Sequence, residues 1–75
     1  METLDLRGVK CPMNFVKTRL KLDKMSEGER LIVYLDQGEA LESVTSSVTA
    51  EGHVIESSEK KDEDYHQLII VKAAP

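Results

Sequence analysis

The sequence contains one cysteine, Cys11, and it stands directly before Pro12 in the stretch VKCPMNF. A thiol does chemistry as its thiolate, and the thiolate is favoured at the amino end of a helix beside cationic side chains. Both conditions are legible here. Pro12 suits the first position of a helix, where its missing N–H would have no partner anyway, so Cys11 falls at the N-cap. The first free backbone donors are then the N–H groups of Met13 and Asn14, directed back towards the cap. The helix dipole adds a favourable potential for an anion, worth about 0.3–1 kcal/mol at an exposed terminus. Lys10 is adjacent in sequence, and Arg7 and Arg19 are the other cations that folding could bring near. A nucleophilic thiolate needs such a setting. A persulfide, anionic near neutral pH, needs the same one.

The missing residues narrow the chemistry. With no second cysteine to resolve a disulfide, a self-contained oxidoreductase is disfavoured. His53 and His66 are the only histidines, and both fall in strand-like segments far along the chain from Cys11. They read as strand or surface residues rather than as a catalytic base. One cysteine and two scattered histidines make a poor zinc site, so no metal and no cofactor are expected. The charged run Lys60–Asp64 reads as a solvated turn, and the row Lys17, Lys21, Lys24 as a wet helix face that could also dock a partner. Two alternatives to nucleophilic chemistry stay open at Cys11. It could be a small buried hydrophobe in a non-catalytic binding or regulatory module, or a single-thiol redox sensor that forms mixed disulfides with other proteins.

Composition sets the frame for these side chains. The chain of 75 residues is read as one domain, 1–75, at 40% hydrophobic and 32% charged residues. A domain of this size buries only about 60% of the surface its unfolded form exposes, so its core must be compact. No apolar run approaches the roughly 18 residues of a membrane span. The polar, acidic first residues do not resemble a signal peptide, and a lone cysteine suits a reducing, cytoplasmic compartment. The net charge is −4, but residues 1–25 hold six basic against three acidic residues, and residues 26–75 hold four against eleven. That balance argues against nucleic acid as a direct partner. It favours an anionic group, or an acidic patch on a partner, near Cys11.

The elements that must position the thiol follow from periodicity. LDLRG (4–8) alternates and stops at glycine, as a short half-buried strand does. Residues 12–25 predict a helix with Phe15, Thr18, Leu22 and Met25 on one stripe, Met13, Val16 and Leu20 on a second, and Asn14, Lys17, Lys21 and Lys24 on the polar face. RLIVYLD (30–36) is a strand covered on both flanks. Asp36 and Glu39 form a possible capping pair for a helix over about 38–51, with Ala40 or Leu41, Val44 and Val48 inward and Gly52 as the stop. HVIESSE (53–59) and YHQLIIVKA (65–73) are strands joined by the charged turn. The order β-α-β-α-β-β predicts a two-layer α+β (α/β) sandwich. Its four-stranded mixed sheet has the order 1-2-4-3, with the apolar strands central and both helices on one face. The other sheet face, with Ile32, Tyr34, Ile69 and Val71, is then left for solvent, a partner or a second copy. A monomer or weak dimer fits this arrangement.

LDLRGVKCP, the amphipathic helix after it, the M-x-x-G-E before an apolar strand, and EGHVIE (51–56) together resemble the TusA (SirA-like) sulfurtransferase family over roughly Thr3 to Lys72. The resemblance implies the same two-layer β-α-β-α-β-β sandwich. It also implies a sulfur carrier that holds a persulfide on Cys11, with Pro12 as its helix-starting neighbour. The sulfur would come from a donor such as a cysteine desulfurase and pass to an acceptor sulfur-relay protein. Destinations in that family include tRNA thiolation, molybdenum cofactor biosynthesis and sulfur oxidation. The chain departs from the usual CPxP at one point, reading CPMN, so Asn14 stands in place of the second proline. Asn14 brings back a backbone N–H that a thiolate could accept.

Overall fold

The computed structural model describes residues 2–10 and 13–73. Strand β1 (Glu2–Asp5) leads to helix α1 (Met13–Asp23), strand β2 (Arg30–Asp36) to helix α2 (Glu39–Ala50), and strands β3 (Val54–Lys60) and β4 (Tyr65–Val71) form a terminal hairpin. The sheet has four strands in the order β1-β2-β4-β3, as the strand apolarities predict. β1 and β2 are parallel, with Leu4 beside Val33, and β2 and β3 each pair antiparallel with β4. The register of the hairpin shifts between Ile55 and Ser57, and Glu56, at that shift, holds the Arg30 guanidinium at 2.8 Å.

The core lies between sheet and helices. Alternation along β2 sends Leu31, Val33 and Leu35 inward, where they meet Leu68 and Ile70 of β4, Leu22 and Met25 of α1 and its exit, and Val44 and Val48 of α2. Leu6 joins this cluster although it lies just beyond β1. The first strand thus starts and ends earlier than LDLRG suggests. Leu6 still donates its N–H to the Tyr34 carbonyl at 2.8 Å, but Val9 then turns back to the Leu6 carbonyl at 3.1 Å. Gly8, at φ 80°, takes the positive-φ position that this turn requires.

Two expectations for α1 need correction. The inward stripe is Asn14, Thr18, Leu22 and Met25, so Asn14 is fully buried (0% exposed) rather than on the polar face. Spacings of four residues keep Asn14, Thr18 and Leu22 on one line of the helix, Met25 follows at its exit, and Phe15 packs only partly against the core. The second apolar stripe stays outside the core: Met13 is 48% exposed and Leu20 55%, with only Val16 half-buried between them. A helix lying on one face of a sheet beside one other helix buries a single stripe.

Helix α2 ends as its glycine predicts. Gly52 has φ 91°, its N–H reaches the Thr49 carbonyl, and His53 N–H reaches that of Val48, both at 3.0 Å. This paired geometry is the Schellman motif. The start differs from the expected capping pair. The N-cap is Gly38, at φ 87°, with no side-chain cap, because Asp36 Oδ2 accepts the Gly8 N–H at 2.9 Å instead.

Candidate functional site

Parallel β-α units place every strand-to-helix junction at the same end of the sheet, and ligand clefts of open α/β sheets lie there. In this fold the junction after β1 and the junction after β2 are neighbours, tied by the Gly8–Asp36 hydrogen bond. Between them opens a cleft of about 390 Å³. Val9, Lys10 and Asn14 line it from the α1 side, and Asp36, Gln37, Glu39 and Ala40 from the α2 side. The amino ends of both helices face it, so their partial positive charges act on one volume. Gln37 fixes the α2 junction by donating its side-chain N–H to the Tyr65 carbonyl at 2.9 Å.

The structure gathers only some of the residues that the sequence assembles around the thiol. Cys11 and Pro12 lie outside the described residues. Lys10, directly before them, and Asn14, two residues beyond Pro12, both line the cleft. Met13 opens α1. The backbone N–H of Asn14, expected to face a thiolate, is instead taken by the Lys10 carbonyl at 3.2 Å. The Asn14 side chain is turned to the core: Oδ1 accepts the Phe15 N–H at 2.7 Å, and Nδ2 is buried with no hydrogen-bond partner among the described residues.

The two arginines are engaged elsewhere. Arg7 forms a bidentate pair with Asp5, at 3.0 and 2.9 Å, and its guanidinium lies 4.9 Å from the centroid of the Tyr65 ring. Tyr65 meets Tyr34 edge to face at 5.9 Å. This cluster sits on the open sheet face, where Ile32, Tyr34, Ile69 and Val71 are all half-buried. The Arg7 guanidinium holds the Asp5 carboxyl below its ordinary value, chiefly through the side-chain hydrogen bond. Arg19 pairs with Glu51 at 3.2 Å. Glu51 caps the carboxyl end of α2, about 18 Å from the amino end that faces the cleft, at 1.5 Å per helical residue. Lys10 is thus the one of the three expected cations at the cleft.

The histidines are structural. His53 Nδ1 accepts the Ala73 N–H at 2.9 Å, and His66 Nε2 lies 2.6 Å from Ser58 Oγ. Neither lines the cleft.

Sequence reasoning missed the α2 half of the site: Asp36, Gln37, Glu39 and Ala40. Their signal was available in the topology. Two right-handed β-α units in parallel bring DQGE (36–39) beside GVK (8–10) by construction.

The chain is similar to known proteins over most of its length. The family model described as Sulfurtransferase TusA matches residues 2–72. A protein of Archaeoglobus fulgidus is 44% identical over 71 residues, covering 95% of this chain and 81% of its own. One of Thermotoga maritima is 36% identical over 72 residues, covering 95% and 91%. Both bear the name "Putative sulfur carrier protein". In fold, the chain is similar to the crystal structure of a SirA-like protein from Desulfitobacterium hafniense, with a TM-score of 0.85 at 21% identity, covering 99% of this chain and 100% of that one. A match that runs from β1 to the end of β4 leaves no element of the sandwich outside it: this chain belongs to the TusA sulfurtransferase family.

Proposed function

We propose that the protein is a sulfur carrier that relays a persulfide on Cys11. One observation carries this reading most. Lys10, directly before Cys11, and Asn14, two residues beyond Pro12, both line the cleft where the strand-to-helix junctions after β1 and β2 meet. The names of the relatives support the same role.

The proposed step is an exchange of thiolates. The Cys11 thiolate attacks the outer sulfur of a donor persulfide, such as that of a cysteine desulfurase. A new S–S bond forms, the donor's S–S bond breaks, and the donor cysteine leaves as its thiolate. An acceptor protein's thiolate then attacks the outer sulfur on Cys11 and releases the Cys11 thiolate. No net oxidation occurs and no cofactor enters. Such a relay suits the reducing cytoplasm.

The test is the intact mass after incubation with a cysteine desulfurase and cysteine, beside Cys11→Ala. A gain of one sulfur atom, reversed by a reducing thiol and absent in the variant, is the expected result. Sulfur gain in Cys11→Ala, or none in the native chain across several desulfurase and rhodanese-type donors, overturns it.

A further inference from the structure

Four consecutive backbone N–H groups hold the turn that carries the chain from β1 towards Cys11. Leu6 donates to the Tyr34 carbonyl, Arg7 to Asp5 Oδ1 at 3.1 Å, Gly8 to Asp36 Oδ2 at 2.9 Å, and Val9 to the Leu6 carbonyl. The Asp5 and Leu6 acceptors are local, within three residues of their donors. Tyr34 and Asp36 tie the turn to β2, and of the two only Asp36 does so through a side chain. It does so at Gly8, three residues before Cys11. Gly8 has φ 80°, and a Cβ there would meet nothing within 4 Å. No packing therefore selects this conformation, and a glycine takes either sign of φ about equally well. The bond from Asp36 selects it.

The carboxylate serves this bond at the expense of other uses. Asp36 stands two residues before Gly38, the N-cap of α2, and that helix has no side-chain cap, although such a cap stabilises a helix. Its charge is also adverse here. Asp36 lines the cleft with Lys10 and Asn14, the residues on either side of the Cys11–Pro12 pair. A carboxylate near a thiolate or persulfide disfavours the anion. Bond and charge thus act in opposite directions on an anionic sulfur, so substitution can separate them.

We propose that Asp36 is a positioning residue for sulfur loading at Cys11. Its bond to Gly8 sets the path of the turn, and with it the point from which the chain presents the thiol. The inference rests on the sulfur-relay reading and adds a residue from the β2–α2 junction to it. Attack on a donor persulfide needs the thiolate in line with the S–S bond that breaks. A nucleophile misplaced by about 1 Å can lose on the order of a hundredfold in rate. A turn released at Gly8 spreads the thiol over many positions. That loss falls on the rate at saturation, because the surface that meets the donor is unchanged.

The test is sulfur loading by a cysteine desulfurase and cysteine, read by intact mass, with the full chain varied in concentration to separate kcat from KM. Asp36→Asn keeps an oxygen for the Gly8 N–H and removes the charge. Asp36→Glu keeps the charge and moves the oxygens out of place. Asp36→Ala removes both. Asp36→Asn should load at the native kcat or faster, whereas Asp36→Glu and Asp36→Ala should lose roughly tenfold in kcat with little change in KM. Amide hydrogen exchange at Gly8 should quicken in Asp36→Glu and Asp36→Ala and stay native in Asp36→Asn, a readout that needs no sulfur. If Asp36→Ala fails to fold, Asp36→Asn against Asp36→Glu gives the same comparison. Equal loss in Asp36→Asn and Asp36→Ala, faster loading by Asp36→Glu than by Asp36→Asn, or unchanged exchange at Gly8 in Asp36→Ala overturns the proposal. Native loading matched by Asp36→Ala sinks this inference alone, whereas a native chain that gains no sulfur sinks the relay with it.

Discussion

Thr18 Oγ1 donates to the Asn14 carbonyl at 2.9 Å, and both side chains are shut off from solvent at the face of α1 turned to the core. Two polar residues one turn apart thus lie under the first half of the helix. A threonine hydroxyl bonded one turn back satisfies itself without a tertiary partner. The carboxamide of Asn14 can satisfy only its oxygen in this way.

Thr18→Val keeps the shape and deletes that hydroxyl bond. It should destabilise the protein by about 0.5–1.5 kcal/mol, the net worth of a typical internal hydrogen bond. A lower urea midpoint with an unchanged m-value reads this. Sulfur gain at Cys11 should be unaffected, since Thr18 does not line the cleft.

Lys10 and Arg7 should separate in their effect on sulfur loading. Lys10 lines the cleft, whereas Arg7 is held by Asp5 and the Tyr65 ring on the other sheet face. Lys10→Gln should slow the first-order gain of sulfur mass by roughly two- to fivefold, the scale of one exposed charge. Arg7→Gln should leave the rate as it is. Equal slowing by both would show that net charge, not position, is what the donor senses.

His53 predicts a dependence on pH. Burial is the main cause that holds its pKa below the ordinary 6.5, with Lys72 as the next. Protonation also converts Nδ1 from acceptor to donor and breaks its bond from the Ala73 N–H. The unfolded chain therefore binds this proton more readily than the folded one, and stability must rise with pH across the interval between the two pKa values. The contribution is complete above the unfolded value and is lost as pH falls through the folded one. Urea midpoints from pH 7.5 to 5 should drop in the native chain and drop less in His53→Gln.

Gly52→Ala should cost about 1 kcal/mol through the backbone alone. The position has φ 91°, and an added Cβ would meet nothing within 4 Å. The cost is the left-handed conformation itself, which an L side chain disfavours. The measurement is again the urea midpoint, with Gly52→Asn, which tolerates this region better, falling in between.

What the sequence determined by itself is what local chemistry encodes. The near-continuous apolar RLIVYLD and the apolar LIIV of the last strand identify the central strands, and the short LDL and the polar HVIESS the edges. That contrast, with two helical crossovers, is enough for the order β1-β2-β4-β3, because a strand flanked by a neighbour on each side is more sheltered than an edge strand and takes more apolar side chains. Gly52 marked the end of α2 because only a residue without Cβ suits that φ. The string around Cys11 and Pro12 marked the family that residues 2–72 match.

The tertiary structure alone decided which cations and amides meet. Arg7, Lys10 and Arg19 are equivalent as charges along a sequence, but β1 and α1 send them to the sheet face, the cleft and the far end of α2. Asn14 looked polar and therefore exposed. Its burial follows from the helix phase that Leu22 and Met25 impose when they enter the core. The α2 half of the cleft was hidden for a related reason. Residues more than twenty positions apart become neighbours only when two parallel strands pair, and the register that pairs Leu4 with Val33 is a property of the folded sheet.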